Sequence, residues 1–131
     1  QTQMIFDMDI FRQFMRRLVD LGVTEKVHIL AGIGPLKSSP MARFLNENIP
    51  GIIIPEDLLK RMDGAVQGIS EDDKEARRDA WRAEGQDICI EQIEELQQME
   101  GVSGVHIMAI EWEAAIRPIV ERAGLLPRPV V

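Results

Sequence analysis

The sequence is poor in cysteine and has no excess of basic residues. Its single cysteine, Cys89, excludes an internal disulfide and favours a reducing, cytoplasmic setting. Lys and Arg number 15 against 22 Asp and Glu, which gives a net charge of −7. Binding to phosphates needs surplus positive charge, so this balance argues against nucleic acid and against an anionic membrane surface as partners.

Long apolar runs are also missing. The run Ile52-Ile53-Ile54 is ended at once by Pro55, whereas a membrane-spanning helix needs roughly 20 apolar residues. A length of 131 residues with 45% hydrophobic content suits one small domain. The sequence nevertheless enters a predicted strand almost at once, and natural domains seldom begin inside a buried element. We therefore expect residues 1–131 to be a fragment of a longer protein, folded as a single unit.

Three short apolar segments predict β-strands, at residues 3–6, 27–31 and 105–110. Helical segments separate them, in the order β-α-β-α-α-α-β-α. Alternation of this kind predicts parallel strands joined by right-handed crossovers. Because three strands leave both edges of a sheet open, the pattern supports the fragment interpretation independently.

Two helices have clear start signals. Asp7 or Asp9 is predicted to cap the first helix, and Gly22 to end it. Ser70 is predicted to cap a long helix that runs towards residue 100, with Gly85 as its weak point. The first helix is predicted to bury Phe11, Phe14, Met15, Leu18 and Leu21. The long helix is predicted to bury Ala76, Ala80, Ala83, Ile90, Ile93 and Leu96.

The turn after the second predicted strand, Gly32-Ile33-Gly34, is a candidate ligand loop, because ligands bind at the carboxyl ends of parallel strands. The dinucleotide fingerprint requires a third glycine where this sequence has Lys37, and the Gly-Lys-Ser/Thr ending of a phosphate-binding P-loop is absent. Three interpretations remain open from these residues: a phosphate site, a turn that faces a flat ligand, and a purely structural turn.

Other candidate groups have ordinary structural explanations. His28, His106 and Cys89 lack the paired spacing of a zinc site, so we interpret the histidines as hydrogen-bonded strand residues. Asp7 and Glu111, with Glu113, follow predicted strands, where barrel enzymes place functional groups. Each also suits a helix N-terminus. Capping is the favoured role for Asp7, whereas Glu111 keeps both interpretations.

Gln3 is an amide at the start of an otherwise apolar strand. A buried glutamine needs partners for its donors and acceptors, and a ligand with an amide-like edge supplies two at a time. The alternative is an exposed side chain near the terminus.

Together these segments resemble the C-terminal part of the methylenetetrahydrofolate reductase family. The resemblance is carried by Thr2-Gln3-Met4-Ile5-Phe6-Asp7, by Leu30-Ala31-Gly32-Ile33-Gly34-Pro35, by the closing strand at residues 101–109 and by the ending at residues 123–129. It covers essentially the whole chain in the same order.

The resemblance implies a fold and an activity. The family is an α/β (βα)8 TIM barrel, and this chain would supply three parallel strands, barrel strands six to eight, with their helices. The family reduces 5,10-methylenetetrahydrofolate to 5-methyltetrahydrofolate, by hydride that passes from NAD(P)H through a flavin, FAD or FMN. The flavin-binding residues and the catalytic glutamate belong to earlier strands, so this chain alone is expected to be inactive.

The resemblance also implies site residues. Gln3 matches the glutamine that hydrogen-bonds the pterin and, in turn, the nicotinamide, while Gly32 and Gly34 would form the rim of the pterin pocket. The surrounding positions depart from the best-known enzymes. Met41 stands where those enzymes have a glutamine that contacts folate, and Leu45 stands where they have a phenylalanine that stacks on the ligand. Trp112, next to Glu111, stands about where they have a contacting arginine. Loss of that arginine removes a bidentate partner for a tail carboxylate, so the pterin would carry a different tail, or the protein is a divergent relative.

Two alternatives come from other classes. One is a self-associating binding or accessory protein without catalysis, a homo-oligomer whose second copy covers the open strand edges. The other is a pterin-dependent methyltransferase, since such enzymes also use barrels. If the chain is instead a barrel fragment, as the resemblance implies, the missing part of the barrel is the partner that covers these edges.

Overall fold

The computed structural model describes residues 1–127, so Arg128 and Pro129 of the C-terminal motif lie outside the described residues. The described part is α/β. Its elements are α1 (Met8–Asp20), β1 (Ile29–Ile33), α2 (Ser39–Asn48), α3 (Glu56–Gly64), α4 (Lys74–Gln97), β2 (Val102–Ile107), a 3-10 helix (Glu113–Ala115) and α5 (Ile116–Arg122).

Two strands form where the sequence predicted three. β1 and β2 are parallel, with Gly32 opposite His106. The N-terminal segment makes only one parallel bridge, between Met4 and Gly32. Two backbone hydrogen bonds accompany the bridge, from Thr2 N–H to the Leu30 carbonyl at 3.0 Å and from Ile5 N–H to the Gly32 carbonyl at 2.9 Å. The predicted parallel arrangement is therefore confirmed, but a three-stranded sheet is not.

The two strands are shifted along the chain from their predicted positions. β1 begins at Ile29 instead of residue 27, because Val27 lies in a turn and is half exposed. β2 ends at Ile107 instead of residue 110, opposite the last residue of β1, Ile33. The shared register therefore sets both strand ends.

The predicted start of α1 is confirmed, but two of the side chains that it was predicted to bury are exposed. Asp7 caps the helix by accepting the N–H of Ile10 at 2.9 Å, and Gly22 follows the helix end with φ of 67°. Phe11 and Met15 are buried, and Leu18 is partly buried. The predictions for Phe14 and Leu21 were wrong, since they are 44% and 73% exposed. Leu21 lies beyond the last helical residue, and Phe14 borders a groove described below.

The start of α4 was predicted three residues too early. Asp73 caps it by accepting the N–H of Ala76 at 3.0 Å, whereas the Ser70 hydroxyl accepts the N–H of Asp72 in the preceding turn. Burial is concentrated in the second half of the helix, and Ala83 is exposed. The first half packs on α3, where the Trp81 indole donates to the Met62 carbonyl at 2.9 Å.

Two hydrophobic cores hold these elements together. The first core joins α1, β1, α4 and α5, and consists of Phe11, Met15, Ala31, Ile33, Cys89, Ile90, Ile93, Leu96, Ala115, Ile119 and Ala123. The second core joins the N-terminal segment to α2, α3 and α4, and consists of Met4, Phe6, Leu36, Ala42, Leu45, Ile52, Ile54, Leu59, Met62 and Ile88. The buried Gln92 of α4 donates to the Phe6 carbonyl at 3.3 Å. The N-terminal segment is thus anchored by packing although it forms no strand.

A small polar network joins α2 to α3. Asp63 of α3 accepts hydrogen bonds from the Ser39 hydroxyl and the Arg43 guanidinium. The Ser39 hydrogen bond, followed by Arg43, holds the pKa of Asp63 below its ordinary value. A lowered folded-state pKa means that the ionised carboxylate stabilises the fold, and that this contribution is lost as the pH falls through the folded-state pKa.

We therefore predict that Asp63→Asn lowers the free energy of unfolding at pH 7 by less than about 1 kcal/mol, because the group is half exposed. The difference from the unsubstituted chain should shrink below about pH 4, the ordinary range of an aspartate pKa. Urea unfolding at pH 7 and pH 3 measures it. Asp72→Asn, at an exposed position before α4, is the control. A loss for Asp63→Asn that is equal at both pH values would contradict the assignment.

The C-terminal helix forms in two pieces. The sequence predicts one helix over residues 111–123 with Gly124 as its stop, but residues 113–115 form a 3-10 turn before α5 begins at Ile116. Gly124 follows α5 with φ of 66°, as its predicted role as the stop requires. Within residues 1–127, no helix is both long and apolar enough to cross a membrane.

Candidate functional site

An open groove runs along the free side of the N-terminal segment, and we call it the edge groove. Its volume is about 280 Å³, and its walls are mainly apolar. Three of its side chains are about half exposed, Ile10, Phe14 and Ile53. Apolar side chains exposed together around a concavity are typical of a site that binds a ligand or another protein segment.

Gln3 lies in the edge groove and is exposed. Its side-chain Oε1 accepts the backbone N–H of Met4 at 3.1 Å. Gln3 thus adds an amide group to a groove whose walls are mainly apolar. An amide offers both donors and an acceptor, so it can bind the mixed donor–acceptor edge of a heterocyclic ring.

Gly32 and Gly34 lie beside other backbone segments, and both are buried. A Cβ at Gly32 would lie 2.6 Å from the Thr2 carbonyl oxygen and 2.7 Å from that of Gln3. A Cβ at Gly34 would lie 2.6 Å from the carbonyl oxygen of Met108. In this structure the space that these glycines leave is filled by neighbouring chain.

The same observations test a phosphate or flavin cradle in this loop. Such a cradle needs free backbone N–H groups and open space above them. The Gly32 N–H is already bound by Thr2, and the space above Gly32 and Gly34 is occupied. The loop therefore does not fit a flavin phosphate, and we derive no step through a flavin.

Met41 and Leu45 project from α2 into or against the second core. Leu45 is 8% exposed and belongs to that core, and Met41 is partly buried beside it. Neither is among the residues that line the edge groove. Their part in ligand binding stays a prediction.

Glu111 and Trp112 lie in the loop after β2, apart from the edge groove. The Glu111 carboxylate is 3.7 Å from the Lys37 ammonium group, and its backbone has φ of 53°, in the left-handed region. Trp112 is partly buried, with the Arg82 guanidinium 5.2 Å from its ring centroid. The structure therefore brings together the loops that follow β1 and β2.

The remaining candidates have structural positions. Asp7 caps α1, and no group of three or more metal-binding side chains occurs within the described residues. Burial raises the pKa of the Cys89 thiol to about 12, so it stays protonated at neutral pH. His28 is exposed before β1. His106 Nδ1 is buried without a hydrogen-bond partner among residues 1–127, so the hydrogen bond predicted for this histidine is not made at that atom.

Three features of the site were not found by sequence reasoning. Ile53 was noted only as part of a short apolar run, and Phe14 was assigned to the core, yet both line the edge groove. Lys37 was noted only as a missing glycine, yet it contacts the second loop. A signal was present for Ile53, because alternation in Ile52-Ile53-Ile54 turns the middle side chain away from its buried neighbours.

Parallel strands joined by helices, with candidate groups on the loops that follow them, define an α/β protein of the class that binds ligands beside its strands. The family model for methylenetetrahydrofolate reductase matches residues 1–124. The chain therefore belongs to the methylenetetrahydrofolate reductase family, an oxidoreductase family of one-carbon metabolism whose fold is a TIM barrel. No curated protein sequence matches the chain.

Proposed function

We propose that residues 1–131 are the C-terminal part of a methylenetetrahydrofolate reductase-like barrel. The N-terminal segment, β1 and β2 would be barrel strands six, seven and eight. Their parallel order supports this, as do the bonds from Thr2 N–H to the Leu30 carbonyl at 3.0 Å and from Ile5 N–H to the Gly32 carbonyl at 2.9 Å. The open edge groove would be the place where the preceding barrel unit packs or a ligand enters.

The parent enzyme would reduce 5,10-methylenetetrahydrofolate to 5-methyltetrahydrofolate with hydride from NAD(P)H. A flavin, FAD or FMN, would supply the hydride-carrying chemistry when bound. The loop at Gly32 and Gly34 does not fit its phosphate, so flavin-binding and catalytic residues would come from other parts of the barrel. We propose that this chain is inactive alone and acts in the cytoplasm.

The chain's own contribution would be to bind and orient the pterin. Gln3 would hydrogen-bond the donor–acceptor edge of the ring through its amide. Apolar neighbours such as Ile10 and Phe14 would cover the ring and exclude water. The family match carries this assignment, and the position of Gln3 in the edge groove supports it.

The exposed edge also favours a second candidate, a self-associating accessory protein. Ile10, Phe14 and Ile53 together form an apolar surface that a second copy would cover. The two candidates differ in what binds this surface: a reduced pterin in the first, another copy of the chain in the second.

Pterin binding by the chain, followed through its tryptophan fluorescence, tests the first candidate. We expect Gln3→Ala to weaken binding of tetrahydrofolate about tenfold, the loss of roughly two hydrogen bonds. Gln13→Ala, at an exposed position on α1, is the matched control and should leave binding unchanged. Reductase assays with flavin and NAD(P)H should show no turnover by the chain alone.

Three outcomes would count against this assignment. The chain could fail to bind any pterin, or bind it equally well with and without Gln3. Flavin-dependent turnover by the chain alone would refute the partial-site proposal. Sedimentation that shows a stable dimer whose formation depends on Phe14, together with no pterin binding, would favour the accessory protein.

A further inference from the structure

A second groove lies between the N-terminal halves of α1 and α3, over the middle of α4, and we call it the acidic groove. Its volume is about 400 Å³, which is within the range of small-molecule sites. The charged groups that line it are five carboxylates, of Asp7, Asp9, Asp57, Glu91 and Glu95, and two guanidinium groups, of Arg12 and Arg61. The acidic groove shares Phe6 and Asp7 with the edge groove, but Gln3 does not line it.

The two arginines are already paired at the sides of this groove. Arg12 of α1 donates to Asp9 at 2.6 Å and also to Glu95 of α4. Arg61 of α3 donates to both carboxylate oxygens of Glu91 on α4, at 2.6 and 2.9 Å. The arginines therefore fix α1 and α3 to α4, and their positive charge is committed to these contacts.

Two other carboxylates of the groove keep free oxygens. Asp57, in the first turn of α3, forms no ion pair among residues 1–127. Asp7 caps α1 through one oxygen, Oδ1. Both positions suit the positive end of a helix dipole, which accounts for the sign of their charge. The remaining oxygens are acceptors available to a cation.

A buried amide with an unmatched acceptor lies at the floor of the groove. Gln92 of α4 lines the groove and is 5% exposed, and its Oε1 has no hydrogen-bond partner among residues 1–127. A buried acceptor without a donor costs stability. The Gln92 Nε2 makes one long hydrogen bond, of 3.3 Å, to the Phe6 carbonyl. Because the last torsion of a glutamine is soft, this amide can turn its oxygen towards a donor that enters the groove.

We propose that the acidic groove binds a flexible organic cation, an aliphatic diamine, whose ammonium groups donate to Asp57, Asp7 and Gln92. A primary ammonium group has three donors and no acceptor, so it matches both carboxylates and an amide oxygen. Leu58 and Ile88 also line the groove, and their apolar surface suits the methylene groups that join two ammonium groups. This inference does not depend on pterin binding.

Calorimetric binding of putrescine, the diamine of butane, to the full chain tests this. Butanediol with terminal hydroxyls is the uncharged probe of the same length, and about 0.15 M salt screens exposed charges. We expect putrescine to bind and butanediol not to bind. Asp57→Asn should weaken putrescine binding roughly fivefold, the upper range for an exposed ion pair. Gln92→Met should weaken it about tenfold, the loss of one hydrogen bond to a charged group.

Glu56→Gln is the matched control for Asp57→Asn. Glu56 lies in the same first turn of α3 but does not line the groove, so both substitutions remove one charge from the same helix end. Glu56→Gln should leave the affinity for putrescine unchanged. Circular dichroism shows whether Gln92→Met folds, and if it does not, the comparison of Asp57→Asn with Glu56→Gln decides.

Several results would overturn the inference. The unsubstituted chain could fail to bind putrescine, or bind butanediol equally well. Equal affinities of Asp57→Asn and Glu56→Gln would reveal only a general attraction of the cation to a chain of net charge −7. A folded Gln92→Met with unchanged affinity would remove the buried amide from the site. All these results leave the proposed function intact.

Discussion

Replacing Gly85 with alanine is expected to lower the free energy of unfolding by about 3 kcal/mol or more, the upper range for overpacking a core. An alanine Cβ at this position would lie 1.8 Å from the carbonyl oxygen of Leu36 and 2.7 Å from its carbon. No flexible side chain can move aside to relieve this contact, because the opposing atoms are backbone. Either α4 or the loop after β1 must shift, and both pack against buried residues. Urea unfolding followed by circular dichroism measures the change.

The expected sign is opposite to that given by helix propensity. Within a helix, alanine is favoured over glycine by about 1 kcal/mol, so an unhindered site would gain stability. Gly64, the last residue of α3, provides that matched control, since a Cβ there meets nothing within 4 Å. Gly64→Ala should therefore be neutral or slightly stabilising. If Gly85→Ala were as stable as Gly64→Ala, the close approach of α4 to Leu36 would be refuted.

Gly85 illustrates what the sequence can and cannot predict about a helix. Its low propensity was visible, and it was interpreted as a weak point. The structure shows the long helix passing through it without a break, because the glycine lets α4 pack against a carbonyl more than 40 residues earlier in the chain. Propensity is a local property, whereas the close approach of two segments is set by tertiary packing.

Signals that act within a few residues were predictable. Asp7, Gly22 and Gly124 mark helix ends as predicted, because a cap needs only its own side chain or dihedral angle and the adjacent turn. Ser70 shows the limit of this rule. Ser70 and Asp73 are both good caps three residues apart, and local sequence does not decide between them.

The edges of the sheet and the candidate site were less predictable. The apolar segment at residues 3–6 does lie beside β1, yet it makes only one bridge, between Met4 and Gly32, and sequence alone does not show how far two segments stay paired. Phe14 has the helical spacing of a buried side chain, but the sequence does not show whether another segment covers it. The contact between Lys37 and Glu111 joins residues 74 positions apart, which spacing rules cannot foresee.

Gly32 separates the structural and ligand-binding interpretations of the glycine loop, and Gly32→Ala is expected to lower the free energy of unfolding by about 2 kcal/mol. Its Cβ would lie under 3 Å from the carbonyl oxygens of Thr2 and Gln3. The N-terminal segment would then be pushed from β1, and the hydrogen bond from Ile5 N–H to the Gly32 carbonyl would weaken. Urea unfolding measures the stability, and amide hydrogen exchange at Ile5 should accelerate.

Gly104→Ala on β2 is the control, because its Cβ would meet only the flexible end of Leu30, at 3.2 Å. Gly104→Ala should be close to neutral and leave exchange at Ile5 unchanged. If Gly32 instead served only to admit a flat ring, Gly32→Ala would lose pterin affinity. Its stability and its amide exchange at Ile5 would be those of the unsubstituted chain. The expected pattern, with stability and exchange both affected, would assign Gly32 to the packing that holds the Gln3 segment in place. Gly32 would then act on the ligand through the position of Gln3, since its own space is filled by the chain.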